Sequence, residues 1–353
     1  MVSFKTPNGL ISFCSFVILW SSDTNASAKD IGTIVSQSPH QFLCEGYVNN
    51  NWEIFIMGVS GANKRNLTNT PDIHELYPKV SPDGSQIAFV SDVGKGRKKI
   101  RSIWIMGIDG KNRKKVADYA RQPFWAPNGR TLGFLPQEYK KFSPASAANK
   151  GIMFYDLKSG KTRPHVNSSK INHIFNPCFS KDGKWIIATV HGGMGVKHST
   201  FVIEANGMAL HDLKVHGCRS DVSPDGTHIA WCETDHLVSI ARIDWAASPP
   251  VLAKPEFCIT DKKNKIYHAE WVPGGQLLLL SRGPSGKGDI TKPGTVMHAS
   301  ETVGVYAKGW NIIAVALGKT GELPIAEKTN SRWTQITHDG NSYKEPDSIP
   351  VKK

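Results

Sequence analysis

Tyr77-Pro78-Lys79-Val80-Ser81-Pro82-Asp83-Gly84-Ser85-Gln86-Ile87-Ala88-Phe89-Val90-Ser91-Asp92 reads as strand, tight turn, strand. Proline pre-sets its own φ, aspartate bonds locally to the backbone, and glycine accepts positive φ, so Pro82-Asp83-Gly84 is turn chemistry. A three-residue loop closed by a glycine bulge would set Ser81 opposite Ser85. Beyond the turn, Ile87 and Phe89 fall on one face of a strand and Ala88 and Val90 on the other.

The unit recurs. It returns as Pro123-Phe124-Trp125-Ala126-Pro127-Asn128-Gly129, as Pro177-Cys178-Phe179-Ser180-Lys181-Asp182-Gly183 and as Asp221-Val222-Ser223-Pro224-Asp225-Gly226. A degenerate copy is Ala269-Glu270-Trp271-Val272-Pro273-Gly274-Gly275. Aligned positions 82, 127, 181, 224 and 273 are 45, 54, 43 and 49 residues apart. Periods of about 40 to 50 residues holding four short strands mark a β-propeller. In the copies a third strand is expected at 102–108, 151–157, 200–205, 237–243 and 310–317.

Residues 40–69 supply only three strands of a blade, without an innermost one. The missing piece recurs at the other end, where Pro346-Asp347-Ser348-Ile349-Pro350 repeats the spacing of Pro78 and Pro82. The C-terminal strand is therefore expected to close the N-terminal blade, which removes two free sheet edges. The count is six blades, or seven if the long interval after Leu280 hides a degenerate one. The fold class is all-β.

Residues 1–28 read as a signal peptide. Lys5 precedes an apolar stretch at 10–20 that is short for a membrane span, and Ala26-Ser27-Ala28 is a small-residue cleavage site. The expected mature chain, 29–353, is a single exported propeller with no transmembrane segment. The formal net charge is +13, with basic runs at 95–99 and 111–115. No nucleic-acid motif or aromatic interleaving accompanies them, so acidic protein partners are favoured over nucleic acid.

Ser-Pro-Asp-Gly turns, the Ile103-Trp104-Ile105-Met106 strand and Asp109-Gly110 before a basic stretch resemble the TolB-like propeller repeat over 40–350. That resemblance implies the fold and a periplasmic protein of a Tol–Pal type envelope system. The architecture is also similar to that of the propeller β subunits of hydrazine synthase in anammox bacteria. This similarity implies a non-catalytic subunit of an oxidoreductase complex, with no cofactor in this chain, haem on partner subunits, and an anammoxosome location.

The residues themselves carry little chemistry. His191-Gly192-Gly193-Met194-Gly195 resembles an oxyanion loop, but no Gly-x-Ser-x-Gly accompanies it. Walker, dinucleotide and Cys-x-x-Cys-His motifs are missing, and the thirteen histidines show no zinc spacing. No catalytic or metal residue is assigned; an enzyme with ligands gathered round the channel stays open as the other class. Trp52, Trp104, Trp125, Trp185, Trp231 and Trp271 fall on expected strands and are read as inter-blade core. Segments 137–150, 245–258 and 282–309 break the period. The last two are expected to form a partner-contact surface through Trp245, Phe257, Tyr306 and Trp310, with Trp333 nearby. Lys254, Lys287, Lys292 and Lys308 would steer an acidic face. Counting back from Ser223 opposite Thr227 sets Cys218 against Cys232, a candidate disulfide in an oxidising compartment.

Overall fold

The computed structural model describes residues 30–94, 98–140, 148–284, 309–318, 320–326 and 331–351. The expected leader, Tyr306, Lys287, Lys292 and Lys308 lie outside them. The described strands form six sheets arranged as six blades. From the axis outward, blade 2 is His74–Val80, Gln86–Val93, Ile100–Gly107 and Lys114–Asp118. Blades 3 and 4 repeat the pattern from Ala120–Trp125 and Ile174–Phe179, and blades 5 and 6 from Cys218–Val222 and Asn264–Trp271. The described residues make six blades and not seven: Leu277–Pro284 and Asn311–Ala316, on either side of the interval after Leu280, pair with each other within blade 6. Among the described residues no helix is long and apolar enough to cross a membrane.

Both faces of a blade are buried, which is why its strands are apolar on both sides. Ile87 and Phe89 pack with Ile54 and Ile56 of blade 1, and Ala88 and Val90 pack with Trp125 and Leu132 of blade 3. Trp52, Trp125, Trp231 and Trp271 are in these inter-blade clusters, with Trp104 and Trp185 packed at their edges.

The turn differs from expectation by one residue. Ser81 N–H donates to Gln86 O, so the loop is four residues long, and Gly84 at φ 71° closes it. The same shift sets Ser223 against His228. Cys218 nevertheless faces Cys232, because an irregularity between Cys218 and Asp221 takes up the extra residue. Both cysteines are free thiols.

Blade 1 is closed by the end of the chain. Ser342–Ser348 is its innermost strand, pairing Phe42 with Ser348, Glu45 with Lys344 and Tyr47 with Ser342. Lys344 is fully buried there. Its Nζ lies 4.5 Å from the Trp52 ring centroid, 6.0 Å from that of Trp310 and 3.9 Å from Glu45 Oε1. Glu45 Oε2 also accepts the Tyr77 N–H of blade 2 at 3.1 Å. Burial pulls Lys344 down to about 8.

Two features were not anticipated. A short helix, Ile31–Ser36, is capped by the Asp30 side chain and buries Ile31 and Val35 against blades 1 and 6. Blade 5 gains an outer strand, Gly321–Pro324, parallel to Phe257–Thr260, which carries Leu323 into the core between blades 5 and 6.

Candidate functional site at the channel mouth

Each innermost strand carries one residue in the left-handed region: Glu345, Tyr77, Gln122, Asn176, Arg219 and His268, at φ 47–56°. At each the pairing register shifts, so every inner strand has a bulge at the same height. A bulge bends its strand and re-aims the residues beyond it. Two positions on stand Asp347, Lys79, Phe124, Cys178, Asp221 and Glu270. All six line one cavity of about 340 Å³ at the channel mouth.

The ring is tied together by the next blade's backbone. Asp347 Oδ2 accepts Val80 N–H at 2.6 Å, Asp221 Oδ2 accepts Trp271 N–H at 3.2 Å, and Glu270 Oε1 accepts Ser348 N–H at 2.8 Å. Trp125 Nε1–H donates to Lys79 O at 2.9 Å, continuing the series with a side chain as donor. Lys79 Nζ pairs with Asp347 Oδ1 at 2.5 Å.

Three ring carboxylates therefore share a confined space with one ring ammonium group, and Arg219 and Glu345, which also line it, add one charge of each sign. Burial, beyond what Lys79 offsets, lifts Asp221 to about 6. Glu270 is raised further by burial and by the charges of Asp221 and Asp347. Asp347 is raised by burial despite its lysine. Such a site favours a cationic group, whose arrival would let the protonated carboxylates ionise. Cys178 is not an activated nucleophile: burial pushes its thiol up, and Sγ donates to Ser220 O at 3.4 Å. Above the ring, burial pulls His268 down to about 4; its Nδ1 is 3.0 Å from Ser281 Oγ.

Sequence reasoning assigned none of these six a functional role. Their signal was positional, since each lies three residues before the aligned turn position: 79 before 82, 124 before 127, 178 before 181, 221 before 224, 270 before 273 and 347 before 350.

The expected contact residues are placed otherwise. Trp310 and Phe257 are core, not surface: Trp310 is 0% exposed and Phe257 2%. Trp310 lies on Gly283, where a Cβ would meet its ring at 2.2 Å, and Phe257 packs in the core between blades 5 and 6. Trp333, 2% exposed, lies under Arg282. Trp245 is half-buried with Nε1–H donating to Gly226 O at 2.8 Å, and Lys254 is exposed. Trp245 follows the third strand of blade 5 and touches the turn after its first. The segment after Pro284 leaves the opposite end of a second strand. The two segments therefore leave opposite faces of the disc and are not brought together at their described ends.

No protein-family model matches the sequence. The uncharacterized peptidase YuxL of Bacillus subtilis is 23% identical over 204 residues, covering 46% of this chain and 30% of its own length. TolB from Acinetobacter baumannii superposes with a TM-score of 0.58 at 16% identity, over 88% of this chain and 66% of that one. Kuenenia stuttgartiensis hydrazine synthase superposes with a TM-score of 0.56 at 13% identity, over 92% of this chain and 49% of that one. The chain thus spans under a third of the curated relative, about two thirds of TolB and half of the hydrazine synthase chain. At these identities the likeness is one of fold, a TolB-like six-bladed propeller.

Proposed function

We propose that this chain is an exported, non-catalytic binding propeller that scaffolds a multi-protein complex. Its channel mouth receives a cationic side chain or terminus of a partner subunit. The supporting observation is the imbalance there: four carboxylates, Asp221, Glu270, Glu345 and Asp347, line a cavity of about 340 Å³ with two cations, Lys79 and Arg219. Each ring carboxylate also serves as a structural tie to the next blade, so the ring holds its shape while presenting excess acid. In its most specific form the complex is a haem-containing hydrazine synthase assembly, with haem on other chains and this chain as the propeller subunit in the anammoxosome. The fold likeness in the second superposition favours that form. A TolB-like role in the periplasm is the alternative, favoured by the first.

Purification of the native protein from its source should bring down a partner in fixed ratio. The double variant Asp221→Asn and Glu270→Gln keeps both backbone ties possible and removes two of the three ring carboxylates, leaving Asp347 paired with Lys79. It should reduce partner recovery by about tenfold or more, since losing a charge partner at an interface costs about 2 kcal/mol or more. Undiminished recovery, or turnover of a substrate by the isolated chain, would overturn the proposal.

A further inference from the structure

The opposite face of the disc carries a second constellation. His191 and His198 are cross-strand partners in the hairpin of blade 4, closed by a tight turn at Met194 and Gly195. His216 lies on the connection that enters blade 5. Distant in sequence, the three rings meet: His191 and His198 have centroids 5.5 Å apart, and His198 and His216 have centroids 5.0 Å apart. The Nδ1 atoms of His198 and His216 face each other at 3.5 Å.

We propose that His198 and His216 form a surface clasp for a late first-row divalent ion such as Zn(II), Ni(II) or Cu(II). His191 is within reach as a third ligand. Imidazole nitrogens bind these ions at about 2.0–2.1 Å, and two such ligands at a tetrahedral angle stand about 3.3 Å apart. The observed gap is within a few tenths of an ångström of that. Neither ring makes another hydrogen bond among the described residues.

The backbone beneath the clasp is fixed. Thr200 N–H donates to Val215 O at 3.3 Å, and Leu213 N–H donates to Thr200 O at 2.9 Å, tying the connection to the hairpin's second strand. Gly217, directly after His216, has φ 129° and packs so closely that a Cβ would meet Cys232 O at 2.5 Å. The histidines thus project from held backbone, and His191 and His216 are exposed. Among the described residues no three His, Cys, Asp or Glu side chains are already arranged to hold an ion. A two-histidine clasp accordingly leaves coordination positions open to water, to a rotated His191 or to a partner's side chain.

Titration of the full chain with Zn(II), Ni(II) and Cu(II) tests this. One saturable site is expected, with a two-nitrogen splitting pattern in the Cu(II) spin-resonance spectrum. Outer-shell changes alone cost metal sites about 10- to 100-fold in affinity, so His198→Ala or His216→Ala should each cost at least that. His191→Ala should cost less, and His211→Ala, whose ring lies against Trp185, should cost nothing. His198→Gln and His216→Gln, checked for an unchanged unfolding midpoint, separate loss of a ligand from loss of fold. Saturation only above about 1 mM, or binding undiminished in the doubly substituted protein, would overturn the proposal.

Discussion

Blade 1 and blade 5 each take a strand from far along the chain, and they take it at opposite edges. Blade 1 receives Ser342–Ser348 on the axis side, where every blade meets its neighbours. Blade 5 receives Gly321–Pro324 at its outer edge. The inner strand arrives with a buried cation and a ring carboxylate; the outer one arrives with an apolar anchor, Leu323. A strand on the axis is held by its blade and by both neighbouring blades, whereas this outer strand pairs with one strand and reaches the next blade only through its apolar anchor. The burden of closing the ring should therefore fall on blade 1.

The most severe way to break that asymmetry is to delete residues 342–351. Gln41–Val48 would be left without an inner partner, and the ring would open. Loss of the cooperative unfolding transition and concentration-dependent aggregation are expected; a monomer with unchanged melting would place closure elsewhere.

Next in size is Lys344→Ala. Removing one member of a buried charge pair costs about 3–5 kcal/mol, because the other loses its counter-charge. Glu45 would keep its bond from Tyr77 N–H and lose the positive charge opposite it. Lys344→Met combined with Glu45→Gln should recover most of the loss, since a neutral pair can replace a buried ionic one. Denaturant midpoints of the two proteins measure both effects, and equal losses would mean that the charge pair itself is not the cause.

At the outer edge the effect should be smaller. Leu323→Ala removes a buried side chain, 5% exposed, at a cost of about 2 kcal/mol, and the ring should stay closed. A loss as large as that of Lys344→Ala would erase the distinction between the two edges.

The smallest effect compares the ring carboxylates of the two inner strands. Asp347 of blade 1 has Lys79 beside it; Asp221 of blade 5 is raised to about 6. A carboxyl whose folded value lies above its unfolded one, near 4, binds more protons folded than unfolded between those limits. Its contribution is fully present below about pH 4 and fades as pH rises through 6. Asp221→Asn should flatten that slope by on the order of 1–2 kcal/mol and leave the protein more stable above pH 6. A pH–stability curve unchanged by the substitution would mean that Asp221 titrates normally.

The blades were legible because their turns are local: proline, aspartate and glycine act within four residues, and the period repeats them. Closure was legible too, through Pro346 and Pro350. The bulges were not, because Tyr77, Gln122, Asn176, Arg219, His268 and Glu345 occupy the left-handed region without a glycine to announce it. The channel ring shares a position but no residue type common to all six, so no motif marks it. Trp310 and Phe257 stand beside irregular segments and read as surface, yet their burial comes from neighbouring strands and blades. The histidine cluster spans a hairpin and the next connection, a proximity set by the pairing of strands and not by spacing.

The distance along the chain between the two halves of blade 1 has a consequence for biosynthesis. At about 5–20 residues per second, roughly 15 to 60 seconds separate the emergence of Val48 from that of Ser342. Through that interval the partner strand Asn51–Gly58 is already made and the inner partner of Gln41–Val48 is not. The open edge of Gln41–Val48 is then available to a chaperone or to another nascent copy, and the disc can be completed only after the last blade has been made.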